Sequence, residues 1–247
     1  QDASVVAEGT DDPMGSTIAG ADGVRTLTQC VKPASRGVIA LPATADTQLK
    51  VVNPDASEAA IDLTLYGAEG EIQSLGARGI TLAAYEERVI ALSVLTKKAT
   101  PVGVSFQASR GRAAVMAITQ TQSSGTAAGP SQLGTSHLLP GIPAGATSSV
   151  IVLANPSETR ITANLTAYGT TPAYQPQGGG NISIPPHASV SVSLENALLG
   201  EASAIQVNSD APVMAGMAFT LGDSAQVAPV EAGTSLGTFT SPGGVLQ

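Results

Sequence analysis

The chain has no Trp, three Phe and four Tyr among 247 residues, a single Cys, and a charged fraction of 12%. Each shortage removes a class of protein. With so few aromatics the core must be built from Val, Ile, Leu and Ala, and the stacking platforms of nucleic-acid binders are missing. The basic stripe is missing too, because Lys+Arg number 11 against Asp+Glu 19. Cys30 has no second Cys for an internal disulfide and cannot supply a thiolate metal cluster. No window approaches the roughly 18 consecutive apolar residues of a membrane span. Gln1-Asp2-Ala3-Ser4 lacks the basic and apolar regions of a secretory leader, so an export signal has either been trimmed or never existed. Sparse charge argues against coiled coils and charged disorder.

What the chain does hold is Gly (27), Pro (16) and a 43% hydrophobic fraction, a mixture that favours many short strands joined by turns. Abundant Ser, Thr, Ala and Gly with an acidic balance is the composition of exported bacterial β-proteins. An extracytoplasmic location, secreted or envelope-associated, is the expectation.

The sequence repeats itself. Leu49-Lys50-Val51-Val52-Asn53-Pro54 returns as Ile151-Val152-Leu153-Ala154-Asn155-Pro156, and Leu63-Thr64-Leu65-Tyr66-Gly67 returns as Leu165-Thr166-Ala167-Tyr168-Gly169, both at an offset of 102. Ile80 and Leu82, then Ile90 and Leu92, land on Ile182 and Ile184, then Val192 and Leu194, without a gap. Within each copy the apolar period is two. Ile61, Leu63 and Leu65 alternate with Asp62, Thr64 and Tyr66, the pattern of half-buried antiparallel strands. Seven strands are expected per copy, near 47–52, 58–66, 70–74, 78–83, 87–95, 101–108 and 112–120, then near 148–154, 160–168, 172–176, 180–184, 188–194, 203–208 and 212–220. Asn53-Pro54 and Asn155-Pro156 close strands, since a pre-proline residue is held extended and Pro presets a turn. At Tyr66-Gly67 and Tyr168-Gly169 the glycine is free to turn and the Tyr can cover a sandwich edge.

The expected fold is all-β: two tandem immunoglobulin-like antiparallel β-sandwich domains, lacking the disulfide and core Trp of antibody domains. The boundaries read as an acidic segment 1–24, repeat 1 at 25–122, a Gly/Ser/Pro linker at 123–134, repeat 2 at 135–222, and a C-terminal segment 223–247 that is either a tail or an added edge strand. Sandwiches on a short linker would form an elongated rod with free loop ends.

These landmarks resemble a family of actinobacterial secreted proteins of unknown function built from tandem copies of a β-sandwich repeat. The likeness rests on Cys30 with Pro33, the two Asn-Pro and two Tyr-Gly pairs, Leu139-Pro140-Gly141-Ile142-Pro143, and Ser209-Asp210-Ala211-Pro212-Val213-Met214-Ala215. It covers about residues 25–222. Members often carry a Trp after the Cys-Pro segment, which this chain lacks. The resemblance implies export and a cell-envelope setting. It also implies a link to envelope polysaccharide, because members tend to be encoded near a large membrane glycosyltransferase. It brings no catalytic residues.

Enzymatic patterns are weak. Gly233-Thr234-Ser235-Leu236-Gly237 fits a nucleophile elbow, but His137 and His187 precede it and no helix pattern follows. Glu86-Glu87 is a carboxylate pair on adjacent strand residues, which face opposite sides and do not converge on one bond. Asp11-Asp12 with Asp22 lacks the alternating ligands of a calcium loop. No metal, cofactor or nucleic acid is expected.

Charge is uneven: −5 over residues 1–24, +2 over 25–122 and −5 over 123–247. Lys97, Lys98, Arg110 and Arg112, near neighbouring strand ends of the first copy, are the candidate face for an anionic partner. The reading from sequence is thus a non-enzymatic exported envelope protein, a binding, scaffold or accessory module for an envelope protein. The alternative is a carbohydrate-binding module for an envelope polysaccharide, with Tyr85, Tyr174 and Phe239 as the aromatic candidates. A remote alternative is a hydrolase with a non-standard site.

Overall fold

A computed structural model describes residues 4–6, 14–17, 29–43, 46–96, 101–120, 125–128, 132–140, 142, 149–170, 172–200, 202–221, 224–228 and 231–232. The all-β expectation holds, since nearly every element among these residues is a strand and the ladders are antiparallel. Strands β1 (Ser4–Val6), β2 (Met14–Thr17) and β3 (Gln29–Val31) make a small sheet of their own. Among the described residues of 1–24, both strands pair within this sheet.

The first copy runs through β4 (Arg36–Pro42), β5 (Thr47–Val52), β6 (Ala59–Gly67), β7 (Gly70–Ile72), β8 (Ile80–Leu82), β9 (Glu87–Ala91), helix α1 (Leu92–Thr96), β10 (Pro101–Arg110), β11 (Ala114–Gln120) and β12 (Gly125–Ala128). Sheet I has the order β4-β10-β6-β7 with β8 also on β6, and sheet II the order β12-β11-β5-β9. Their inner faces interlock as the period-two pattern dictates. Ile39, Leu41, Leu63, Leu65, Val104 and Phe106 of sheet I meet Leu49, Val51 and Val115 of sheet II in one buried cluster. The expected strand 87–95 is interrupted, because Leu92–Thr96 turns helical and buries Leu92 and Leu95 against the end of that core.

The second copy contains β13 (Gly134–Pro140), β14 (Ser149–Ala154), β15 (Ile161–Gly169), β16 (Ile182–Ile184), β17 (Ser189–Ser193), β18 (Ala202–Leu221), β19 (Ser224–Ala228) and β20 (Glu231–Ala232). Sheet III is β16-β15-β18-β13-β20 and sheet IV is β17-β14-β18-β19. One strand, β18, serves both. Up to Val213 it pairs with β15 and β13, and from Met214 with β14 and β19. The strands expected at 203–208 and 212–220 are therefore one. In the first copy the same passage is cut by Gly111 at φ +69, and its two halves are β10 and β11. No strand forms at 172–176, where Tyr174 makes only an isolated bridge to Ala167.

The segments outside the two repeats also form strands. Gly125–Ala128, read as linker, is an edge strand on β11. Of the C-terminal segment, Ser224–Ala228 does add an edge strand, to β18, and Glu231–Ala232 pairs with β13.

The two sandwiches do not form a rod. The outer face of sheet I lies against the outer face of sheet IV and buries Val38, Ala40 and Tyr66 with Val152, Ala154 and Met214. Two glycines permit the approach. A Cβ on Gly216 would overlap the carbonyl oxygen of Ala40, and one on Gly103 would overlap the Cβ of Ala154 and stand 3.2 Å from Met214 Sδ. At the margin the Tyr66 and His187 rings stack with centroids 6.5 Å apart and planes 13° apart. On the opposite side of the first sandwich, Val31 of β3 packs with Val52, Ala114, Met116 and Ile118 on the outer face of sheet II. Met116 stands opposite Lys50 as Gly216 stands opposite Val152. The face that in copy two admits a neighbouring sheet is thus filled by a methionine in copy one.

Candidate functional site

Ladder register sorts the outer face of sheet I into rows. Ala40, Gly103 and Tyr66 form the row under the second sandwich; Val38, Ser105 and Thr64 form the next; Arg36, Gln107 and Asp62 form the third. The second and third rows floor an open cleft of about 640 Å³, walled by Gln132 and Leu133 on the approach to β13 and by Arg78 on the far side. The cleft lies beside the row that the second sandwich covers.

Its polar groups are few and definite. Asp62 Oδ1 accepts the Gly79 N–H at 2.7 Å, and Arg78 Nη2 donates to Glu71 Oε1 at 3.3 Å. Arg36 is exposed and makes no ion pair with another described residue. The second copy shows which of these the fold requires. Asn164 accepts the Asn181 N–H at 2.9 Å in the place of Asp62, so that turn needs an oxygen acceptor and not a charge. The row there reads Ser136, Asn208 and Asn164, and Gly180 occupies the place of Arg78. Arg36, Asp62 and Arg78 are therefore charges that the sandwich itself does not demand.

Of the candidate anionic-partner face, Lys97 and Lys98 lie outside the described residues. Arg110 and Arg112 flank the Gly111 turn, but Arg110 pairs with Glu58 and Arg112 with Asp55, the latter at 3.0 Å. Both cations are offset by acids from the loop after β5, a pairing invisible to a charge count. Asn53 and Asn155 are fully buried and tie strand ends to the turns beyond Pro54 and Pro156. Tyr66 belongs to the junction, and a Cβ on Gly67 would push the end of the Ile72 side chain, 2.8 Å away, aside. In the second copy Tyr168, before Gly169, is half-exposed and donates to Gln206 Oε1 at 2.7 Å.

The carboxylates Glu86 and Glu87 do separate jobs. Glu86 accepts the Ala83 N–H and an Arg88 guanidinium, each at 2.7 Å, and these bonds hold its carboxyl below the usual range. Glu87 pairs with Lys50, whose ammonium is buried on the outer face of sheet II. His137 is fully buried. Its Nε2 faces the carbonyls of Val213 (2.9 Å) and Gly134 (3.0 Å), so Nε2 carries the proton, and Nδ1 has no partner. Burial lowers its pKa against the weaker raising effect of those carbonyls. Tyr85 is exposed in a left-handed backbone conformation, Tyr174 has its hydroxyl on the Leu199 N–H at 3.0 Å, and Phe239 lies outside the described residues. So do Asp11, Asp12, Asp22 and the Gly233–Gly237 motif. Among the described residues no helix is long and apolar enough to cross a membrane and no cluster of three His, Cys, Asp or Glu forms.

The sequence reading did not single out Arg36, Asp62, Arg78 or Gln107 as site residues. The usable signal is the charge difference between aligned copies at Asp62 and Asn164 and at Arg78 and Gly180.

The model of a family of unknown function (DUF5719) matches residues 12–241, beyond both ends of the stretch 25–222, and the chain belongs to that family. No match was found among curated proteins or among solved structures.

Proposed function

We propose that this member of the DUF5719 family is a non-enzymatic extracytoplasmic protein of the cell envelope that works by binding, with the cleft on sheet I as its contact surface. The observation that carries this is the divergence of the two copies. The third row of the sheet is neutral in the second sandwich and charged in the first, where Gln132 and Leu133 on the approach to β13 wall it into a cleft. A concave site with a few convergent polar groups is a usual place for a ligand. The floor mixes both kinds of group: Asp62, Thr64, Ser105 and Gln107 offer a polysaccharide hydrogen bonds, while Val38 and Leu133 add apolar surface for a sugar ring to lie on. An envelope protein partner is the second reading. It is supported by Leu75 and Val94, which are 97% and 73% exposed at one end of the first sandwich.

Retention of the full chain on envelope material from the source organism tests the first reading. Gln107 is exposed in the centre of the floor, so Gln107→Trp fills the cleft without touching the core. The variant should be lost from the retained fraction while the parent stays. Equal retention of both would rule the cleft out.

A further inference from the structure

Building on that binding reading, we propose that the cleft takes an anionic saccharide, a short glycan carrying a carboxylate or phosphate. The oxyanion sits against the guanidinium of Arg36 or Arg78, and the sugar hydroxyls sit against Gln107, Asp62 and Thr64.

The charge pattern comes first. The chain carries a net −8, yet among the described residues the charged side chains bordering this cleft are two arginines and one aspartate, with Glu71 paired to Arg78 behind them. Arg36 stands on β4 and Asp62 on β6, two strand spacings apart, with Arg78 one step beyond. The two guanidinium groups therefore flank a floor roughly 10–15 Å wide at about 4.8 Å per strand. A guanidinium presents a planar fork of donors that matches carboxylate or phosphate oxygens two at a time. Arg36 has that fork uncommitted to any described residue, and Arg78 spends one nitrogen on Glu71.

Asp62 tells against a purely acidic ligand. Its Oδ1 is used by the Gly79 N–H and its Oδ2 takes no bond from the described residues. A carboxylate oxygen in a binding floor needs a donor, and a sugar hydroxyl supplies one beside the anion. Gln107, in the same row, offers both an acceptor and two donors. An acidic peptide fits less well. Peptides gain affinity by adding to a free sheet edge or by filling apolar pockets. Here β10 is paired on both sides, by β4 and β6, and Phe106 points into the core at 2% exposure; β4 is the edge strand of sheet I, and a peptide laid on it is the competing occupant that penta-glutamate tests.

The second copy supplies the test variants. Arg36→Ser and Arg78→Gly install residues that the other sandwich already carries at the matching places, so the fold should survive both. The full chain and the double variant are titrated calorimetrically with tri-galacturonate, glucose 6-phosphate, maltotriose and penta-glutamate, at low and moderate salt. The parent should bind tri-galacturonate, glucose 6-phosphate or both at least tenfold more tightly than maltotriose and penta-glutamate. The double variant should lose at least tenfold on the anionic sugar. Comparing the uronate with the phosphate identifies the source of the oxyanion. Equal binding of maltotriose, equal binding of penta-glutamate, or indifference to the double substitution would each overturn the proposal. No binding of either anionic sugar would overturn it too. In that case the broader binding reading still stands if Gln107→Trp abolishes envelope retention, and it falls with the proposal if it does not.

Discussion

Asn53 and Asn155 occupy the same place in the two copies and share four side-chain bonds, to which Asn155 Oδ1 adds one from the Ser157 hydroxyl at 2.7 Å. Each is fully buried. Asn53 Nδ2 donates to the carbonyls of Ser57 (2.7 Å), Ala83 (2.8 Å) and Leu82 (3.4 Å), and Asn155 Nδ2 to those of Thr159 (2.7 Å), Pro185 (3.1 Å) and Ile184 (3.2 Å). Each Oδ1 accepts the N–H two residues on, from Asp55 at 3.1 Å and Ser157 at 2.8 Å. One side chain thus satisfies the backbone of two loops that no ladder reaches. Alanine at either position strands those buried groups and should cost about 2–4 kcal/mol. Urea unfolding of the two variants checks this, and losses that differ by more than about 1 kcal/mol would show that the sites are not equivalent.

The junction depends on glycine. Gly216→Val drives a side chain into the Ala40 backbone, and overpacking of this kind costs about 1–3 kcal/mol. The cores away from the contact are untouched, so the variant should unfold in two calorimetric steps or become sensitive to protease near the junction. A single step at the parent temperature would mean that the sandwiches do not meet as described.

Lys50 and Glu87 form an ion pair at 2.8 Å in which only the glutamate, 40% exposed, reaches solvent. Removing the acid alone leaves a buried ammonium uncompensated, whereas replacing the lysine by an apolar residue removes the charge that needs compensating. Glu87→Gln should therefore be the more destabilising change, by about 1–3 kcal/mol, and Lys50→Met close to neutral. The reverse order in thermal melts would argue against the burial of Lys50.

His137 gives a pH dependence with a definite sign. Its folded pKa lies below the ordinary value of 6.5, so the unfolded chain takes up the proton first. Its contribution to stability is complete above pH 6.5 and is lost as pH falls from there toward the folded value, by at most about 1.4 kcal/mol per pH unit. Comparing His137→Gln with the parent between pH 8 and 5 isolates this from the carboxylates. The parent should lose more stability than the variant over that range, and parallel curves would remove the effect.

Much of the sandwich was legible because alternation along Ile61, Leu63 and Leu65 is a direct consequence of burying one face. The missed strands have a simple cause. Val38 stands opposite Ser105 as Leu138 stands opposite Gln206, an offset of 100, while Asn53 and Asn155 differ by 102. The connection after the opening strand is two residues longer in the second copy, which takes β4 and β13 out of register. Without β4 there is no row joining Arg36, Gln107 and Asp62, and so no cleft. The junction was hidden for another reason: Gly103 and Gly216 are single glycines in strands, and only the neighbouring sheet shows what they make room for. The fusion of β18 reflects a missing turn glycine, since the second copy has Asp210-Ala211-Pro212 where the first has Gly111.

The most direct measurement of the central claim is amide chemical-shift mapping of the labelled full chain against envelope polysaccharide from the source organism. The binding cleft predicts saturable shifts at Arg36, Thr64, Arg78, Ser105 and Gln107, and their loss in Gln107→Trp. Shifts confined to the outer face of sheet III or to the Leu75 and Val94 end, or no shifts at saturating glycan, would contradict it.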